Sequence, residues 1–191
     1  MPSPAVHAVR YLPNIICLIR LALIWPIVSA LQAGQQLPAL GLFVAAAVSD
    51  GLDGYLAKRF NWTSELGKFL DPVADKLLLI TVFVESAWLG LVPWWLTAAV
   101  VARDVLIGLG ALIYRLWFGE LRGRPTIISK INTAAQLVYV MLVLLRSACG
   151  MPPRELLDAC AVLTLITTVV SGLDYVITFT RRALVLPVHA P

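Results

Sequence analysis

Apolar residues fill this chain in long blocks, and polar residues gather in the short joins between them. The blocks fall at residues 13–31, 38–56, 72–91, 94–117, 127–149 and 155–180. Each has about the 20 apolar residues that an α-helix needs to cross the roughly 30 Å hydrocarbon layer of a bilayer. The pattern predicts six helices with short polar joins between them and no convincing internal repeat.

Composition supports the membrane reading. Of 191 residues, 60% are hydrophobic and 14% charged, a balance that excludes a water-soluble domain. We therefore expect an all-α integral membrane protein with six transmembrane helices, forming a single domain over residues 1–191. The first apolar block carries Arg20 and lacks a small-residue cleavage site, so it is expected to be retained as a helix and not removed as a signal peptide. Arg10, Lys58, Arg59, Lys68, Lys76, Arg115, Arg122, Arg124, Lys130, Arg181 and Arg182 fall on one side of this arrangement, and Arg146 and Arg154 on the other. The excess of positive charge places both termini in the cytoplasm. Cys17, Cys149 and Cys160 have no metal-like spacing and read as packing residues. Nothing in the chain points to nucleic acid as a partner.

The informative residues are the acidic ones, because a carboxylate within a spanning helix is costly and is kept for a partner charge, an ion or a polar cavity. Asp50 and Asp53, three residues apart, share a helical face that Gly54 and Ala57 continue. Asp71 and Asp75, four apart, do the same at the cytoplasmic start of the third helix, with Gly67 four residues earlier. A short cytoplasmic join allows the two pairs to converge, and four carboxylates in one pocket need a cation to neutralise them. Oxygen ligands of this kind suit Mg²⁺, Mn²⁺ or Ca²⁺, with substrate phosphate completing the shell. Small residues at 54, 57 and 67 let a nucleotide approach the backbone, and Lys58 and Arg59 add positive charge at the rim. Each feature also has a plainer reading. Asp71 before Pro72 resembles a helix N-cap, the glycines suit close helix packing, and the basic residues suit interfacial anchoring.

The stretch Asp50 to Asp75, DGLDGYLAKRFNWTSELGKFLDPVAD, resembles the signature of the CDP-alcohol phosphatidyltransferase family, D-x2-D-G-x2-A-R-x8-G-x3-D-x3-D. The single departure is Lys58 in place of arginine, which keeps the charge and loses the bidentate fork. The resemblance implies an enzyme of phospholipid biosynthesis that moves a phosphatidyl group from CDP-diacylglycerol to an alcohol and releases CMP. It implies a two-metal site of Mg²⁺ or Mn²⁺ held by Asp50, Asp53, Asp71 and Asp75, with Asp75 as general base. It also implies CDP binding by Gly54, Ala57, Lys58 and Gly67. The active site would face the cytoplasm from a bacterial inner membrane, and a homodimer is expected.

For the acceptor, ARD at 102–104 and the run from Pro125 to Gln136, PTIISKINTAAQ, look most like the CMP-forming cardiolipin synthases of that family, whose acceptor is phosphatidylglycerol. Relatives that use glycerol 3-phosphate share the LDPVADK run at 70–76. Arg103, Lys130 and Thr133 are the acceptor candidates in either case. The plainer readings here are an Arg103–Asp104 ion pair, a Thr126 cap and an interfacial Lys130. A small cation channel or carrier would also use membrane aspartates, but would need polar lining through the full bilayer thickness. An inactive lipid scaffold is a third reading. Glu85 and Asp174 have no assigned role.

Overall fold

The computed structural model describes residues 12–60, 65–118 and 126–185, with side chains over 16–49, 73–113 and 126–178 and at 180. Among these residues the chain is all helical, with α1 (Leu12–Gln32), α2 (Gln36–Phe60), α3 (Glu65–Trp88), α4 (Trp94–Phe118), α5 (Ile127–Cys149) and α6 (Arg154–Val185). Trp94–Ile113, Ile127–Cys149 and Arg154–Thr178 are long and apolar enough to cross a bilayer, and Ile16–Gln32 and Gln36–Ser49 form shorter apolar segments. The main shift from expectation is in α3, which begins at Glu65 and carries Pro72 inside it.

Three turns follow from glycine. Gly34 ends α1 at φ 70°, a left-handed conformation that glycine adopts without penalty. The Gly34 N–H donates to Leu31 O and the Gln35 N–H to Ala30 O, at 3.0 and 2.8 Å. These two bonds form a Schellman cap that satisfies the last carbonyls of the helix. Gly90 ends α3 in the same way at φ 72°, with Gly90 N–H to Ala87 O and Leu91 N–H to Ser86 O. Gly150, at φ 74°, closes α5 with one bond to Arg146 O. The Arg146 guanidinium donates to the Pro152 carbonyl and secures that turn.

Packing divides the chain into two compact units. The first comprises residues 1–92 and 140–152, and the second 93–139 and 153–191. In the first unit α1 packs against both α2 and α3. Ala39, Phe43 and Ala46 of α2 lie at helical spacing and are fully buried, as are Leu78, Leu79, Val82 and Phe83 of α3 and Ile27 and Leu31 of α1. Alanines at two of those α2 positions permit close helix approach. Arg20 and Ser86 are the buried polar side chains among the described residues of this unit.

The second unit is built differently. Here α4 packs against α6, and the buried faces are polar: Thr97, Arg103 and Asp104 on α4, Asn132 and Gln136 on α5, and Thr164, Thr168 and Ser171 on α6. The Thr167 and Thr168 hydroxyls donate to Asn132 Oδ1 at 3.0 and 2.9 Å. In lipid, such interhelical bonds replace a hydrophobic driving force that the solvent does not supply. Further along the α4–α6 contact, a Cβ built on Gly110 would lie 2.6 Å from Tyr175 Oη and 2.8 Å from Cε1 of the ring, so only glycine lets the tyrosine sit there. Gly108, two residues away, has nothing within 4 Å.

Gly110→Ala should therefore destabilise the detergent-solubilised protein by about 1–3 kcal/mol. Gly108→Ala should be neutral or stabilise it by up to about 1 kcal/mol through helix propensity. Thermal unfolding of the two variants side by side checks the pair, and equal midpoints would contradict the Tyr175 contact.

Candidate active site

Helical continuity is what makes the aspartate spacing meaningful. α2 runs unbroken through Asp50, Asp53, Gly54 and Ala57, so these positions share one face. α3 runs unbroken through Gly67, Asp71 and Asp75, again on one face. Because α3 begins at Glu65, Asp71 lies inside the helix and is not its N-cap, which removes the plainer reading of that residue. The side chains of Asp50, Asp53, Gly54, Ala57, Lys58, Gly67 and Asp71 lie outside the described residues.

Asp75 is described, and its environment explains a residue that composition alone left unaccounted for. Its carboxylate Oδ1 accepts a hydrogen bond from Nη1 of Arg20 on α1, forming an ion pair. The two side chains are unequally exposed, 1% for Arg20 and 38% for Asp75. The guanidinium is therefore enclosed by helix packing, while the carboxylate reaches an accessible edge. The sequence shows Arg20 as a charge within the first apolar block but does not give its partner, since 55 positions separate the two.

The donor set fits the divalent cation implied by the signature, because the groups on these faces of α2 and α3 are aspartate oxygens and no thiol or imidazole competes among them. Among the described residues no three His, Cys, Asp or Glu side chains come together. Asp75 is the one signature aspartate within that set.

A second polar cluster occupies the second unit. Arg103, 5% exposed, donates through Nη1 to Asp104 Oδ1 at 2.6 Å and through Nη2 to Ser129 Oγ at 2.8 Å and to Ser171 Oγ. The expected Arg103–Asp104 pair is present, and two serines from α5 and α6 complete its surroundings. Its Nε is buried without a hydrogen-bond partner. The Thr133 hydroxyl donates to Ser129 O at 3.2 Å, so two of the acceptor candidates touch Ser129. Lys130 is exposed on α5. Thr126 Oγ1 accepts from the Ser129 N–H at 3.3 Å, the capping role that was its plainer reading. Ser171 went unnoticed in the sequence because it lies in an apolar run and its partner Arg103 is 68 positions away. Asp174 Oδ2 and Glu85 Oε1 are buried with no hydrogen-bond partner.

Residues 10–180 match the family model of the CDP-alcohol phosphatidyltransferases. Among curated proteins the chain is 31% identical over 182 residues to the human cardiolipin synthase (CMP-forming), covering 86% of this chain and 60% of that protein. It is 33% identical over 186 residues to a probable cardiolipin synthase (CMP-forming) of Drosophila melanogaster, covering 86% of this chain and 56% of that one. The chain thus spans little more than half the length of these two relatives. It is also 32% identical over 185 residues to the CDP-diacylglycerol–glycerol-3-phosphate 3-phosphatidyltransferase of Bacillus subtilis, covering 86% of this chain and 92% of that protein. With its signature carried on two continuous helices and the family match running through nearly all of its length, the chain belongs to the CDP-alcohol phosphatidyltransferase family.

Proposed function

We propose that the chain is an integral membrane enzyme of phospholipid biosynthesis that transfers the phosphatidyl group of CDP-diacylglycerol to phosphatidylglycerol, yielding cardiolipin and CMP. The observation that carries this reading is the half-buried Asp75 carboxylate, held from α1 within a signature whose other aspartates lie on the same helices. The ARD and PTIISKINTAAQ runs favour phosphatidylglycerol as acceptor, and glycerol 3-phosphate is the alternative, as the name of the Bacillus relative suggests. The whole chain acts as one membrane domain of six spans with both termini and the active site cytoplasmic. The Lys and Arg distribution supports that orientation, and α3, at 24 residues, has the ~36 Å length needed to span. A bacterial inner membrane and a homodimer complete the assignment.

In the proposed reaction the acceptor hydroxyl attacks the phosphorus bonded to diacylglycerol. A new P–O bond forms to the alcohol, the P–O bond to CMP breaks, and the proton goes to Asp75. No covalent phosphatidyl-enzyme is formed. Asp50, Asp53, Asp71 and Asp75 would hold Mg²⁺ or Mn²⁺, which supplies neutralisation of pyrophosphate charge when bound. Gly54, Ala57 and Gly67 leave room for the nucleotide, and Lys58 meets phosphate. Arg103, Lys130 and Thr133 serve the acceptor. Of these, Arg103 is committed to Asp104, Ser129 and Ser171, whereas Lys130 is exposed. The acceptor phosphate is therefore assigned chiefly to Lys130, with Arg103 holding α4, α5 and α6 in position around it. That arginine, enclosed among its hydrogen bonds, also counts against a cation-conducting path along the polar faces of α4 to α6.

Purified protein in detergent, given CDP-diacylglycerol and Mg²⁺ or Mn²⁺, should release CMP on addition of phosphatidylglycerol and stop when the metal is chelated. Release with glycerol 3-phosphate alone would move the assignment to the sister reaction, and silence with both would reject it. Asp75→Asn keeps an oxygen acceptor for Arg20 and should lower turnover by roughly 10²–10⁴-fold with thermal unfolding near wild type. Wild-type turnover in that variant would remove Asp75 from the chemistry. Lys130→Ala should raise the acceptor KM roughly tenfold while leaving that for CDP-diacylglycerol unchanged, and equal effects on both would contradict its acceptor role.

A further inference from the structure

We propose that Arg20 is a positioning residue for phosphatidyl transfer, holding the Asp75 carboxylate by Oδ1 so that it meets the acceptor hydroxyl in one orientation. This rests on the reading of Asp75 as the base.

An arginine cannot shed its charge in a protein, so burial cannot be relieved by deprotonation. Arg20, at 1% exposure, is the only charged residue of α1, and an enclosed ion of this kind costs several kcal/mol unless it is paired and hydrogen-bonded. Its side chain is packed on all sides, which leaves it few other rotamers, so the N–H that reaches Asp75 is a donor of fixed direction. The carboxylate, by contrast, is 38% exposed. Arg20 therefore stands on the enclosed side of the pair and acts through Asp75 without reaching a substrate itself.

The position of Arg20 on α1 adds to the argument. α1 is the helix packed against both α2 and α3, the two elements that carry the signature aspartates. An anchor on that shared helix relates the orientation of Asp75 to the same packing that sets α2. Small misplacements of a reacting group cost about a hundredfold in rate, which is the scale of effect that a lost anchor should produce. A residue acting only as structural glue would give a different pattern, in which folding, substrate binding and turnover fall together.

The test uses full-length Arg20→Gln and Arg20→Lys, purified in detergent, with three readouts: thermal unfolding, CDP-diacylglycerol binding without acceptor, and the kcat and KM of CMP release. Arg20→Gln should lose about a hundredfold in kcat while CDP-diacylglycerol affinity falls far less, because Asp50, Asp53 and Asp71 still hold the metal, and Arg20→Lys should recover part of the loss. Combining Arg20→Gln with Asp75→Asn should cost nothing beyond Asp75→Asn alone, because both changes remove the same function. Wild-type kcat in either single variant, or additive losses in the double variant, would overturn the proposal. So would failure of both single variants to fold, or a parallel loss of binding and turnover, since either assigns Arg20 to structure alone. A wild-type protein silent with both acceptors would reject the functional reading and this inference with it, whereas an active wild type with an equally active Arg20→Gln rejects this inference only.

Discussion

A charge enclosed among apolar helices must have a partner, and the described architecture is organised around two arginines that obey this constraint. Arg20 pairs with Asp75 between α1 and α3, and Arg103 is held by Asp104, Ser129 and Ser171 across α4, α5 and α6. Removing a partner weakens the compensation of an ion in a medium that solvates it poorly. The helices that carry the partners are thus constrained in register as well as in proximity. Apolar packing between lipid-exposed helices is weakly directional, so these polar links supply specificity that leucine and valine cannot.

The two units use this device to different degrees. In the first unit the buried side chains among the described residues are apolar apart from Arg20 and Ser86, with Ile27, Leu31, Phe43 and Leu78 among them. Around Arg103 the buried faces are rich in hydroxyls and amides, and Asn132 collects two threonine hydroxyls on one oxygen. The serine and threonine hydroxyls of α5 and α6 are committed to Arg103 and Asn132, so that this unit is tied together by side-chain hydrogen bonds.

Much of this was legible in the sequence, for reasons that depend on distance along the chain. Helix positions followed from the apolar blocks, and the 127–149 block matches α5 end for end. α3 was placed too late because Asp71–Pro72 imitates a cap followed by proline at the first helical position. The residues from Glu65 onward instead extend the helix upstream of the proline. The aspartate signature was readable because it is local, compressed into a single helix–join–helix segment. The Arg20–Asp75 and Arg103–Ser171 contacts were not, since they join positions 55 and 68 residues apart. No local spacing encodes which face of one helix meets which face of another. What the sequence offered was the anomaly itself, a charge where an apolar residue would be cheaper.

The unequal exposure of the Arg20–Asp75 pair bears on how such a site tolerates both chemistry and membrane. Were both groups enclosed, the carboxylate would be fully spent on its partner and unable to meet a substrate hydroxyl. Were both open, the arginine would be hydrated and mobile, and its hold on the carboxylate would weaken to that of a surface ion pair, worth ~0–1 kcal/mol. At 1% and 38% exposure the pair lies between these limits. The dry side keeps the arginine firm as a support, and the open edge keeps the carboxylate available. Under the proposed reaction this division would matter, because a base must be rigid with respect to the helices and accessible from outside them.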